Sequence, residues 1–359
     1  MLWVFVVMCC TSIYCYAVAW LWFRMVVPDS REALGPWPSA VVIVPVRNEE
    51  NHIARLFTQF SSITYPGDWE VWLVDDHSTD QSWPQMQRLA TGHPRIRAYQ
   101  SSGVGKKAAI AEVIAATQSQ VIVTTDADCV IDDGWMRSLM ATMRDESVRL
   151  TAGLVRIAGG SLWNRVQALE FSSVMAMAWI TAKGGRPLYC SGANLAIRRS
   201  AWEEVGGYGM YGTGTGDDLD LLNRIASLHP GSTRMVRATV DTHGQADAVT
   251  FLQQRIRWAS KWQRVQGGTA LAVVHWIFQV VFLGVLFTAP LGYGSAAACC
   301  WFLKVLVDGL FLTRAMSLLG QRFGLAEFLV VEALYAPYVI YVGLQALTGR
   351  YVWKGRTYN

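Results

Sequence analysis

Apolar residues fall into two patterns along this chain: long charge-free runs near the ends and short alternating segments between them. Leu2 to Phe23 contains no charged residue and is long enough to cross a hydrocarbon core, which takes about 20 residues. Val265 to Leu303 also lacks Asp, Glu, Lys and Arg, and its interruption at Pro290-Leu-Gly-Tyr-Gly294 predicts a hairpin of two apolar helices. A third stretch runs from Phe328 to Leu347, with Glu332 near its start and Pro337 inside it.

Between Pro38 and Thr250 the period changes. Ala40–Val46 is a β-branched run suited to a strand buried on both faces. Residues 49–62 predict a helix through Ile53, Leu56, Phe57 and Phe60. Residues 70–74 and 121–124 predict further strands, and 82–90 and 106–117 further helices. This alternation predicts an α/β fold with a mostly parallel, Rossmann-like sheet. Trp163 to Ala182 is largely apolar but too polar at its start to span, and reads equally as an interfacial helix or as core. Arg257, Lys261 and Arg264 share one helical face beside Trp258, Trp262 and Val265, the pattern of an amphipathic helix at a membrane surface. The expected organisation is an N-terminal transmembrane helix over 1–26, a catalytic domain over 38–250 and an interfacial helix over 251–266. A C-terminal region of about three apolar segments follows over 267–349, then a basic tail over 350–359.

Composition agrees with the long runs. Of 359 residues 52% are hydrophobic and only 16% charged, against about 25% in a typical soluble domain. The 16 Trp residues suit a membrane–water interface. A net charge of +4 is too small to imply a nucleic-acid partner. Lys304 and Asp308 stand four apart in an apolar run and predict a pair on one helix face. Arg24, Arg31, Arg314 and Arg322 place their side in the cytoplasm. Arg350, Lys354 and Arg356 conflict with that if the last stretch spans once, which leaves its topology open. Cys9, Cys10, Cys15, Cys299 and Cys300 lie in apolar runs, and Cys129 and Cys190 have no metal-like spacing, so the cysteines read as reduced.

In open parallel sheets ligands bind beyond the carboxyl ends of the strands. Arg47-Asn-Glu-Glu50, Asp75-Asp-His-Ser-Thr-Asp80 and Asp126-Ala-Asp128 follow three consecutive predicted strands, which points to one cleft for a cation or a nucleotide. Asp126 and Asp128, two apart in extended chain, point to the same side. Their hard oxygens suit Mn²⁺ or Mg²⁺ shared with substrate phosphates.

With these segments the chain resembles the family 2 glycosyltransferases of GT-A fold. Val44-Pro-Val-Arg-Asn-Glu49 is similar to their opening nucleotide-binding segment, and Val74-Asp-Asp-His-Ser-Thr-Asp80 to their DDxS motif. Asp126-Ala-Asp128 resembles their DxD, Gly216-Asp-Asp-Leu-Asp-Leu221 their acidic base-bearing segment, and Cys190-Ser-Gly-Ala-Asn194 their acceptor-side loop. Gln254-Arg-Ile-Arg-Trp258 fits the QxxRW of the membrane-integrated branch, which includes the ceramide-glucosyltransferase-like enzymes. Val352-Trp-Lys-Gly-Arg356 is similar to the basic, Trp-containing tail of those enzymes.

The resemblance implies an inverting transfer of one sugar from a nucleotide sugar, UDP-linked, to a lipid acceptor. Asp218 is then the base, and Asp217 takes the place of the family's preceding Glu. Pro45, Arg47, Glu49, Asp75, Asp76, Lys106 and Asp126 bind the nucleotide sugar, and Asp126 and Asp128 hold Mn²⁺ or Mg²⁺. Gln254, Arg257, Trp258, Gly192 and Asn194 face the diphosphate and the acceptor, Asn194 through a hydrogen bond to a sugar hydroxyl. His243 reads as an ordinary polar residue. The expected setting is a bacterial inner or cell membrane, multi-pass, with the catalytic domain cytoplasmic. The rival readings are a processive polysaccharide synthase of the same family and a non-catalytic nucleotide-sugar-binding scaffold.

Overall fold

The structure, a computed structural model, describes residues 2–25, 35–185, 187–208, 217–261, 268–285, 292–348, 351–353 and 356–358. In chain order the elements are α1 (Leu2–Arg24), β1 (Ala40–Val46), α2 (Ile53–Ser62), β2 (Trp69–Asp75), α3 (Ser82–Ala90), β3 (Ile96–Gln100), α4 (Lys106–Ala116) and β4 (Val121–Thr124). Then come α5 (Trp135–Met140), β5 (Leu150–Ala158), α6 (Leu162–Lys183), β6 (Leu195–Arg198), α7 (Arg199–Glu204), α8 (Asp217–Leu228) and β7 (Thr233–His243). The chain closes with α9 (Ala248–Ala259), α10 (Gly268–Val285), α11 (Gly294–Leu318), α12 (Leu325–Leu347) and a small hairpin, β8 (Tyr351–Trp353) and β9 (Arg356–Tyr358).

It divides into two compact units. One comprises Asp29–Arg156 and Thr181–His243. Its sheet has the order β3-β2-β1-β4-β6-β5-β7. Strands β3, β2, β1 and β4 run parallel, while β6 runs antiparallel to both β4 and β5. β1 lies between two parallel neighbours and its Val and Ile side chains are fully buried, as a strand covered on both faces requires. Two details depart from the sequence pattern. α2 begins at Ile53 rather than at residue 49, because the Glu49 and Glu50 amides donate to Ser82 Oγ (2.8 Å) and Asp80 Oδ2 (3.1 Å) instead of entering a helix. β3 was not foreseen: it is an edge strand in which Ile96 alone is buried, so it carries no apolar alternation.

The other unit comprises Met1–Pro28, Ile157–Ile180 and Gly244–Asn359. It thus takes in most of α6, which the sequence reading had placed within the 38–250 domain. α1 from Phe5, α11 and α12 are each long and apolar enough to cross a membrane, and Thr269–Val285 is a shorter apolar helix. Their pattern inverts that of a soluble protein. Phe5, Ile13, Phe302, Leu310, Leu325 and Leu344 are exposed, while Lys304, Asp308 and Glu332 are buried. Lys304 Nζ donates to Asp308 Oδ2 and to Glu332 Oε2, both at 2.7 Å, and Tyr14 Oη donates to Asp308 Oδ1 at 2.7 Å. The expected Lys304–Asp308 pair is therefore present, extended by partners from α1 and α12. α6 presents a mainly buried surface that includes Gln167, Glu170 and Ser172, as a core helix would. α9 is capped by Asp247, whose Oδ1 accepts from the Thr250 amide at 2.8 Å.

Candidate active site

The loops after β1 and β2 are knitted by side-chain-to-backbone bonds. Asn48 and His77 hold positive φ angles of 55° and 57°. Asn48 Oδ1 accepts from the Thr79 amide at 2.8 Å, and the Asn48 amide donates to Ser78 Oγ at 3.0 Å. Asp75 is fully buried, its carboxylate accepting from the Ser78 amide at 3.3 Å and Gln100 Nε2 at 3.3 Å. Asp76 Oδ1 takes the Gly105 amide at 2.6 Å, and Asp76 Oδ2 lies 3.7 Å from Arg47 Nη1. Gly105, at φ 95°, turns the chain into α4 in a conformation that other residues adopt only with strain. Glu49 Oε2 pairs with His52 Nδ1 at 2.7 Å, and Pro45 lies within β1 opposite Val74. Arg47, Glu49, Asp75 and Asp76 therefore lie at the carboxyl ends of β1 and β2, with Pro45 inside β1.

Asp126 and Asp128 follow β4. Lys106, the first residue of α4, reaches Asp126 Oδ1 with its ammonium at 2.6 Å. Burial alone would lower the pKa of Lys106, but the nearby carboxylates of Asp126 and then Asp218 outweigh it and hold the ammonium well above its ordinary value. Asp126 keeps 40% of its side chain exposed and is open to a ligand. Asp128 Oδ2 accepts from Thr242 Oγ1 at 3.2 Å, and its carbonyl from Arg55 Nη2 at 3.0 Å. Among the described residues no group of three or more His, Cys, Asp or Glu side chains gathers as a metal cage. Two carboxylates suffice for an ion that also takes substrate phosphate oxygens, and the part-exposed carboxylate of Asp126 is the hard oxygen donor such an ion takes.

The loop over 190–194 lies against the first turn of α8. Thr124 Oγ1, at the end of β4, donates to the Gly192 carbonyl at 2.8 Å. The Gly192 amide donates to Asp218 Oδ2 at 3.1 Å, and Tyr208 Oη donates to Asp218 Oδ1 at 3.1 Å. Both oxygens of the expected base are thereby oriented. A Cβ on Gly192 would fall 2.7 Å from the Asp218 carboxyl carbon, so only glycine permits this approach. Asp217 begins α8, while its side chain and the Gly212-Thr-Gly-Thr-Gly216 loop lie outside the described residues.

Asn194 requires a correction. Its side chain is wholly buried: Nδ2 donates to the carbonyls of Leu154 (2.8 Å) and Ala238 (2.9 Å), and Oδ1 accepts from Trp135 Nε1 (3.0 Å). It locks the sheet beneath the loop and offers nothing to a sugar hydroxyl. His243 stacks on His52 with ring centroids 6.2 Å apart. Tyr208 was missed, because one tyrosine ten residues before an aspartate has no periodic or motif signal.

Gln254, Arg257 and Trp258 belong to the helical unit, on α9. Beside them Arg255, unremarked in the sequence, is buried against Glu170 of α6. Of the cationic face expected on this helix and the apolar face beside it, Arg257, Trp258 and Lys261 are described, whereas Trp262, Arg264 and Val265 lie outside the described residues.

A mostly parallel sheet with acidic loops at its strand ends, a carboxylate gripped by a glycine loop and an ammonium set against a DxD aspartate place the polar side chains where open α/β sheets bind ligands. Residues 41–206 match the family model of glycosyl transferase family 2. It is similar to a beta-monoglucosyldiacylglycerol synthase of Synechocystis sp., 30% identical over 329 residues, with 87% of this chain and 64% of that protein covered. A beta-monoglucosyldiacylglycerol synthase of Nostoc sp. is 29% identical over 254 residues, covering 68% of this chain and 52% of its own. The chain thus spans between half and two thirds of these relatives' length. In fold it is similar to a mannosyltransferase of Pyrobaculum calidifontis solved with GDP-Man and Mn²⁺, with a TM-score of 0.60, 18% identity and 96% and 95% of the two chains covered.

Proposed function

We propose that this protein is a membrane-integrated, inverting glycosyltransferase that moves one sugar from a UDP-sugar to a lipid, with UDP-glucose and diacylglycerol as the first pair to test. The observation that carries the reading is Asp218, held by the Gly192 amide and the Tyr208 hydroxyl in the same unit as the Lys106–Asp126 charge pair. Relatives named for a glucosyl-diacylglycerol product, matched along most of this chain, support the acceptor class. Helices with exposed apolar faces support a multi-pass setting in which such a lipid is at hand. The basic residues Arg24 and Arg314 favour a cytoplasmic catalytic domain.

In this reading Asp218 accepts the proton of the acceptor hydroxyl as that oxygen attacks the anomeric carbon, and its two donors keep the carboxylate aimed. Single displacement from the face opposite the leaving group inverts the configuration. The loops carrying Pro45, Arg47, Glu49, Asp75 and Asp76 seat the nucleoside, and Lys106 holds a positive charge where the diphosphate departs. Asp126 and Asp128 would hold Mn²⁺ or Mg²⁺, which when bound neutralises charge growing on that diphosphate. Gln254, Arg257 and Trp258 of α9 keep the diphosphate- and acceptor-facing roles that the QxxRW resemblance implies for them.

The test is release of UDP from UDP-glucose by the detergent-purified protein with Mn²⁺, with and without diacylglycerol, beside Asp218→Asn. Lipid-dependent release that falls by about 10²–10⁴-fold in the variant is expected, the range a general base contributes. Release unaffected by both lipid and the variant would overturn the proposal.

A further inference from the structure

Arg255 is a heavily engaged cation of the helical unit, and neither the QxxRW resemblance nor the proposed chemistry uses it. It is 4% exposed. Its Nε donates to both oxygens of Glu170 at 3.1 Å, and its Nη2 to Glu170 Oε2 at 2.5 Å. Glu170 comes from α6, 85 residues away, and its Oε1 also accepts from Tyr338 Oη of α12 at 2.9 Å. The remaining surface of the guanidinium is covered by rings: Trp258 with its centroid at 4.3 Å, Phe251 at 4.5 Å and Phe171 at 5.8 Å. Nη1 donates to Gln254 Oε1.

Two of these partners, Gln254 and Trp258, belong to the trio expected at the diphosphate and acceptor. Arg255 thus touches one by a hydrogen bond and the other by cation–π contact, while its own position is set from α6 and α12. A buried ion pair adds little stability over well-packed apolar residues of the same volume. What it supplies is direction: a planar donor fork and a flat cation fix the amide on one side and the indole on the other. Tyr338 extends this control to a helix apolar enough to lie in a membrane.

Resting on the function proposed above, we infer that Arg255, clamped by Glu170 and Tyr338, is a positioning residue that aims Gln254 and Trp258 and ties their placement to the packing of α12. Arg255 itself touches no substrate.

Arg255→Lys keeps the charge but loses the fork, and Tyr338→Phe loses only the outer hydrogen bond, so together they separate aim from folding. Three quantities decide: the thermal midpoint in detergent, UDP binding with Mn²⁺ by calorimetry, and kcat and KM for transfer per folded molecule. The expected result for Arg255→Lys is a kcat about tenfold lower or worse, with UDP affinity within about twofold of wild type. Tyr338→Phe should show a smaller loss of the same kind. Transfer per folded molecule equal to wild type, or activity lost only in proportion to the folded fraction, would overturn the inference. Peptide-resolved hydrogen exchange over residues 248–259 reads the clamp without turnover. Faster exchange there in Arg255→Lys, with α4 unchanged, supports it, and unchanged exchange in α9 overturns it. A wild-type protein that transfers no sugar would overturn the proposed function and leave the exchange result to decide the clamp.

Discussion

Gly192 is where a single hydrogen atom decides whether the base can be held. Its amide bonds Asp218, and any side chain there would meet that carboxylate. Gly192→Ala should therefore lower kcat by about 10²-fold, the cost of displacing a reacting group by about 1 Å, while UDP binding to the separate loops of Asp75 and Asp76 stays intact. Equal kcat in steady-state assays of the two proteins would refute this. Lys106→Met should weaken UDP affinity by about tenfold or more, since it removes the charge held against Asp126, and calorimetry in Mn²⁺ checks it. At this scale a local motif gave a residue's position in the chain but not its surroundings. The structure pairs Lys106 with Asp126 and Gly192 with Asp218. Asn194 shows the limit: its spacing matched an acceptor loop, but its environment is made by Trp135, Leu154 and Ala238, which no local pattern connects to it. Tyr208 and Arg255 were illegible for the same reason, since their partners come from distant segments.

Among the elements, α4 and the loop before it act as one piece. Glu112 accepts from the Ser102 amide (3.0 Å), Ser102 Oγ (2.8 Å), the Gly103 amide (2.8 Å) and Tyr99 Oη (3.1 Å). Burial pushes its pKa up, but those four bonds outweigh it and bring the carboxyl down to about 2 from its ordinary 4.5. A depressed pKa contributes stability that is full above about 4.5 and disappears as pH falls through about 2. Glu112→Gln should therefore lose stability at neutral pH and flatten the fall of the thermal midpoint across that window. A midpoint–pH curve parallel to wild type would contradict it. Helices and central strands were readable because burial on one face or both imposes a period. β3 was not, because an edge strand with one buried side chain imposes none. The start of α2 was misplaced because Glu49 and Glu50 serve the neighbouring loop rather than their own helix.

Across the whole molecule, one chain builds two units of opposite polarity: a sheet unit with an apolar inside, and a helical unit with charges inside and apolar residues outside. The charge-free runs made the second unit visible in the sequence, and the Lys304–Asp308 spacing announced its ion pair. The recruitment of Tyr14 and Glu332 depends on how α1, α11 and α12 pack, which no run reveals. Lys304→Met should leave two buried carboxylates without their cation and cost about 3–5 kcal/mol, read as a lower detergent thermal midpoint. A triple variant with Lys304→Met, Asp308→Leu and Glu332→Leu should regain most of that loss, and no recovery would contradict the ion-network account. For the molecule's chemistry one measurement is most direct. The lipid product from UDP-glucose and diacylglycerol is isolated, its mass determined, and its anomeric configuration read from the proton coupling of the sugar. A single β-linked glucose, absent with Asp218→Asn, is the predicted result. An α-linked product, a polymer, or a product that persists in the variant would contradict an inverting, single-addition transfer driven by Asp218.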